Sequence, residues 1–181
     1  MKIAISGLSG CGNTTVSRLV AKKLGLTQFN YTNRDLAKER GITFQEMYEL
    51  VEKSEEIDLE VDGKLASYAA ENNDFVLAAR MPIWLDDETV LKKLGLVKKP
   101  SFDLKVWLDA PLEMRAKRIV QREGKTLAQV VTETAERDLA NAKRFKKIYG
   151  INVSEHGFAF VIDTEKLTAE QVAEIISKKV V

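Results

Sequence analysis

Residues 2–15 read Lys2-Ile3-Ala4-Ile5-Ser6-Gly7-Leu8-Ser9-Gly10-Cys11-Gly12-Asn13-Thr14-Thr15. Lys2–Ser6 is a short strand pattern that runs into a glycine-rich turn. From Thr14 to Leu24, Val16, Leu19, Val20 and Leu24 fall at helical spacing, and Gly25 supplies a stop. Between strand and helix, Gly7, Gly12 and Thr14 hold the positions of G-x-x-x-x-G-x-[ST], a phosphate-cradling spacing. Glycines let the main chain wrap with positive φ, so that several N–H groups converge. The helix N-terminus adds partial positive charge at the same point. Gly7 and the run Ser9, Gly10, Cys11, Gly12, Asn13, Thr14 and Thr15 would line a nucleotide's phosphates. Thr14 would offer its hydroxyl to Mg²⁺. The motif's lysine is replaced by Asn13, whose neutral amide donates hydrogen bonds but neutralises no charge. The competing reading is a strand-to-helix turn that binds nothing. Cys11 reads as a packing residue, although a helix-terminal thiol tends toward a lowered pKa.

Beyond the loop, strand and helix patterns alternate. Leu26–Asn30 is a second strand, followed by helices at Asp35–Arg40, Thr43–Lys53 and Ile57–Glu71. Thr43 with Glu46 forms a capping-box pattern. Phe75–Leu77 is a short buried strand, Asp86–Leu94 a helix, and Leu104–Leu108 the fourth strand. Pro111 opens a helical stretch over 112–123, and Leu127–Lys147 follows after Gly124. Phe158–Ile162 is the fifth strand, and Thr168–Lys178 a closing amphipathic helix with Thr168 as its cap. This alternation predicts an α/β fold with a parallel sheet covered on both faces.

The 181 residues suit a single domain. The 28 Lys+Arg against 27 Asp+Glu give +1, which argues against a nucleic-acid binder held by bulk charge. One cysteine leaves no internal disulfide, and one histidine no His-based zinc set. No apolar run approaches the ~20 residues of a membrane helix, and the opening strand pattern does not resemble a secretory signal. A cytoplasmic, monomeric protein without membrane or nucleic-acid partners is expected. Charge is nonetheless uneven: Glu52–Asp62 holds six acids and one lysine, and residues 111–150 hold ten Lys/Arg and five Asp/Glu. These are either solvated helix faces or a basic cover over an anion.

A family resemblance rests on Ile5–Thr15, Arg34–Gly41, Glu56-Ile57-Asp58 with Asp62, and Val76-Leu77-Ala78-Ala79-Arg80 with Trp84. It extends through Asp103–Glu113, Arg115, Arg118, Arg122-Glu123, Glu136-Arg137 and Lys143-Arg144 to Ile148–Ile151. Over nearly its whole length the chain resembles the nucleoside monophosphate kinases, most closely the short archaeal-type (type 2) cytidylate kinases. The resemblance implies a three-layer P-loop kinase fold on a five-stranded parallel sheet. It implies a core of 1–29, 73–118 and 148–181, an acceptor-binding insertion at 30–72 and a helical lid at 119–147. The implied reaction moves the ATP γ-phosphoryl group to CMP or dCMP with Mg²⁺. Arg34 and Arg80 would then hold the acceptor's phosphate, while Arg118, Arg137 and Arg144 close over the transferred group from the lid. Arg122 would stack on adenine or cap the lid, and Asp58 and Asp62 would read the cytosine amine. Trp84 and Trp107 read as core residues and His156 as a loop residue.

Three features depart from the family pattern: Asn13, although some type 2 relatives also lack the lysine there, Ala78-Ala79 before Arg80 where an acid and a glycine are usual, and Asn30-Tyr31-Thr32-Asn33 before Arg34. The second weakens Mg²⁺ anchoring, and the third is expected to push bulkier side chains into the acceptor pocket. A nucleotide-binding relative without turnover, or a kinase for another acceptor such as AMP, stays compatible with these residues.

Overall fold

A computed structural model describes residues 1–180, with the side chains of 122 and 123 excepted. Five strands form one sheet: β1 (Lys2–Gly7), β2 (Thr27–Phe29), β3 (Phe75–Ala78), β4 (Leu104–Asp109) and β5 (Phe160–Asp163). They run parallel in the order β2-β3-β1-β4-β5. Strand residues divide between two cores by the two-residue period. Ala4, Phe75, Leu77 and Trp107 face one layer, while Ile3, Ile5, Val76, Ala78, Val106 and Leu108 face the other. Both faces are therefore apolar, which is why these strands read as unbroken hydrophobic runs.

The second face is covered by α1 (Asn13–Leu24) and α8 (Ala169–Val180), through Val16, Val20, Val172 and Ile176. The first carries α2 (Asn33–Arg40), α3 (Phe44–Lys53) and α4 (Glu56–Glu71), all inserted between β2 and β3. It also carries α5 (Glu88–Leu94) and α7 (Leu127–Tyr149). The remaining helix, α6 (Leu112–Glu123), packs on α7 through Ala116, Ile119 and Val130. The connections leaving neighbours β1 and β3 run to opposite edges of the sheet, opening a crevice beyond their carboxyl ends.

Some element bounds differ from expectation. The last strand begins at Phe160 rather than Phe158. β5 is an edge strand with only Ile162 buried, so the apolar pattern marks its start poorly. Phe158 is 56% exposed and lies against Trp84 and beneath Lys105. The fifth helix starts at Glu88 because the Asp87 carboxylate caps the Thr89 and Val90 amides, at 2.8 and 3.3 Å. Trp84 and Trp107 are core residues, packed edge to face. His156 lies in a loop and stacks on Trp107 at 4.3 Å. No helix among the described residues is long and apolar enough to cross a membrane.

Candidate active site

The loop between β1 and α1 is shaped by contacts that tolerate only glycine. At Gly7, a Cβ would stand 2.5 Å from the Leu108 carbonyl on the paired strand. At Gly10, with φ +88°, it would meet the Arg115 carbonyl at 2.7 Å. Two guanidiniums grip the loop's carbonyls. Arg115 donates from Nη1 to Ser9 O at 3.0 Å and from Nε to Ala110 O at 3.0 Å. Arg118 donates to Gly10 O at 3.4 Å, to Thr164 Oγ1 at 3.0 Å and to Thr164 O at 2.6 Å.

The start of α1 is open. Gly12 is its N-cap residue, no side chain caps it, and its first turn holds no acid. Helices α2, α3 and α7 each begin with a complete capping box, on Thr32, Thr43 and Thr126. An uncapped helix start inside a glycine loop leaves its amides and partial positive charge for an anion. Thr14 and Thr15 are exposed there. The Thr14 hydroxyl accepts a 3.3 Å hydrogen bond from Asn30.

Asn13 turns the other way. Its Nδ2 donates to Gly7 O at 2.7 Å and to Ala79 O at 3.4 Å, which leaves the amide no proton for a phosphate oxygen. Its Oδ1 is buried without a partner among the described residues. The Cys11 thiol is pushed up to about 12 by burial, against the pull of Arg115. That reverses the expected direction and leaves Cys11 a packing residue.

Across the crevice lies a charged cluster drawn from α4, the end of β3 and α7. Asp58 accepts from Arg144 Nε at 2.8 Å, and Arg144 Nη2 donates to Asn141 at 2.7 Å. Asp62, one turn on and buried, accepts from the Tyr149 hydroxyl at 2.8 Å. Burial pushes the Asp62 carboxyl up to about 7, aided by Asp58 and opposed by Tyr149, Arg80 and Arg144. Arg80 lines a small cavity with Gly7, Trp107, Asp138, Asn141 and Phe145. Burial and the nearby charges of Arg144 and Arg137 lower its pKa. Neither the Arg80 nor the Arg137 guanidinium has a hydrogen bond or ion pair among the described residues.

Of the sequence-predicted residues, the structure thus gathers Arg80, Asp58, Asp62, Arg137 and Arg144. Arg118 sits behind the loop on Thr164 instead. Arg34 is exposed and stacks on Phe44 at 4.2 Å. The Arg122 side chain lies outside the described residues. Of the bulky run before Arg34, Tyr31 does not fill the cleft. It is buried in the first core layer, where its hydroxyl takes a 2.7 Å hydrogen bond from Lys64. Thr32 is spent on capping α2.

Asp138, Asn141 and Thr164 escaped the sequence reading, and Arg115 and Tyr149 carried no role in it. Asp138 holds Arg115 at 2.7 Å and so joins α7 to the loop. Residues 137, 141 and 144 share a helical face, and that spacing was the available signal for Asn141. Thr164 lies beyond β5, and nothing in its local sequence points to the loop.

Among the described residues no group of three His, Cys, Asp or Glu could hold a metal ion. The Thr14 hydroxyl, exposed at the start of α1, offers one oxygen to a hard cation. That fits an ion held largely by phosphates and water, which is the habit of Mg²⁺.

Residues 2–166 match the Cytidylate kinase-like family. The chain is 38% identical to "Cytidylate kinase 2" of Borrelia garinii, over 99% of this chain and 96% of that protein. It is 36% identical to "Cytidylate kinase" of Pyrococcus furiosus, over 96% of this chain and 85% of that one. In three dimensions it is similar to the deoxyadenosine kinase of M. mycoides with bound dATP, with a TM-score of 0.64 and 21% identity over 99% of this chain and 98% of that one. At that identity the likeness speaks for the P-loop kinase fold alone. Matched over residues 2–166 and 36–38% identical to these relatives along nearly its whole length, the chain belongs to the Cytidylate kinase-like family.

Proposed function

We propose that the protein transfers the γ-phosphoryl group of ATP to the phosphate of CMP or dCMP, giving ADP and CDP or dCDP. One observation carries this: the uncapped start of α1 and the Arg80–Arg137–Arg144 cluster share the crevice at the carboxyl end of the sheet. Two polyanions must meet there, and phosphoryl transfer asks a protein for positioning and charge rather than covalent chemistry. The loop amides would hold the ATP phosphates. Thr14 would help hold Mg²⁺, which when bound would offset phosphate charge. Arg80 and Arg34 would hold the acceptor phosphate, Arg34 after leaving Phe44. Asp58 would accept from the cytosine amine, as carboxylates do. Residues 30–72 serve as the acceptor-binding insertion, and 119–147 as the lid that excludes water on closing.

The test follows ADP formation with ATP-Mg²⁺ and each of CMP, dCMP, UMP and AMP. The expected result is turnover with CMP or dCMP far above the others. Preference for another acceptor overturns the substrate assignment. Nucleotide binding with no turnover favours the reading that Asn13 and Ala78 support, a nucleotide-binding relative without catalysis.

A further inference from the structure

We propose that Arg80 supplies the cation that the phosphate loop lacks at position 13, contacting the ATP γ-phosphoryl group during transfer. This rests on the reaction proposed above and deepens it. Asn13 brings no charge, and its amide protons are committed to Gly7 O and Ala79 O. The charge that develops between the β- and γ-phosphates is thus left without a cationic side chain at position 13 to meet it.

The described side chains narrow the choice. Arg115 is held by Ser9 O, Ala110 O and Asp138, and Arg118 by Gly10 O and Thr164. Arg144 is held by Asp58 and Asn141. Arg80 and Arg137 remain uncommitted among the described residues. Only Arg80 is carried to the loop by sheet register. Ile5 pairs with Ala78, and the Ala79 N–H donates to Ile5 O at 3.3 Å, so Arg80 stands beside Gly7. The Asn13–Ala79 hydrogen bond ties the residue before Arg80 to the position of the absent lysine. Gly7 and Arg80 line one cavity.

In the step itself an acceptor phosphate oxygen bonds to the γ-phosphorus as the bond from that phosphorus to the β–γ bridging oxygen breaks. The electron pair stays on the bridging oxygen, and ADP leaves with the added negative charge. Arg80 gains and loses no proton. Its planar fork is suited to two phosphate oxygens at once.

The experiment is a double-mutant cycle on the full chain, with Arg80→Ala, Asn13→Lys and the pair, reading kcat and both KM values. Arg80→Ala is expected to lower kcat about 10²–10³-fold, as loss of a preorganised transition-state donor does. Adding Asn13→Lys to that variant should restore kcat by about tenfold or more, a far larger factor than the same change produces in the parent chain. The acceptor KM should stay raised, because residue 13 lies on the ATP side. Equal effects of Asn13→Lys in both backgrounds would mean independent action and overturn the proposal. So would a loss in Arg80→Ala confined to acceptor KM. Circular dichroism checks folding, and Arg80→Gln replaces Arg80→Ala in the cycle if the alanine variant does not fold. If the parent chain phosphorylates no monophosphate, the proposed reaction fails by itself. The Arg80 assignment is then read by calorimetry: Arg80→Ala should weaken ATP far more than ADP, with Asn13→Lys recovering ATP. Equal losses for ATP and ADP would overturn it.

Discussion

The two banks of the crevice are built on opposite plans. One is main chain: a single stretch, Gly7–Thr15, whose amides gather at an uncapped helix start. The other is side chain: Asp58 and Asp62 from α4, Arg80 from the end of β3, and Arg137, Asn141, Arg144 and Tyr149 from α7. A main-chain bank binds phosphate whatever nucleoside is attached, because every residue carries the same N–H. A side-chain bank can discriminate and can move, because its charges are individual and their partners exchangeable. In this structure Asp58 and Arg144 satisfy each other; under the proposed function an acceptor nucleotide would take over both.

The largest effect is expected from Arg137→Ala. If the side-chain bank acts on the transition state, kcat falls about 10²–10³-fold while ATP affinity by calorimetry moves far less. An equal loss in both would place Arg137 in ground-state binding. Next comes Gly10→Ala, which forces a Cβ against the Arg115 carbonyl at a positive φ. It should weaken ATP about tenfold or more and lower stability by about 1–3 kcal/mol, measured by denaturant melts. Unchanged ATP binding would mean that the loop's shape is not what holds the nucleotide. Asp58→Asn should raise the CMP KM about tenfold and narrow the preference over UMP, since a good base-reading contact is worth about 1–3 kcal/mol. A change in the ATP KM instead would move Asp58 to the other bank.

The smallest effect expected is on stability. Burial holds the Asp62 carboxyl at about 7, above its ordinary 3.8. Between those values the folded chain keeps a proton that the unfolded chain has released. Stability therefore falls as pH rises through that window and levels off above it. Asp62→Asn should flatten this part of the Tm profile, and a slope that survives the substitution would place its source in another group.

Legibility followed the same division. The loop's place and course could be read because strand, glycines and helix are consecutive in the sequence. The capping threonines Thr43 and Thr168 were legible for the same reason, since each meets its partner three residues away. The orientation of Asn13 was not legible, because both its acceptors belong to the packed strands β1 and β3 or the chain just beyond them. Tyr31 misled because bulk next to a site says nothing of which way a side chain turns. Arg34 and Arg118 carried family positions, but their partners in this structure, Phe44 and Thr164, are set by how α3 and the chain after β5 pack.

Hydrophobic period and glycine spacing act over a few residues, so the alternation of strands and helices, the parallel sheet and the phosphate loop were legible from the residues alone. Which charges meet was settled by packing. Asp58 and Arg144 lie 86 residues apart, and Arg80 comes beside Gly7 through strand register. An ion pair carries no sequence period, and its partners are chosen when the helices dock and the chain between them is closed.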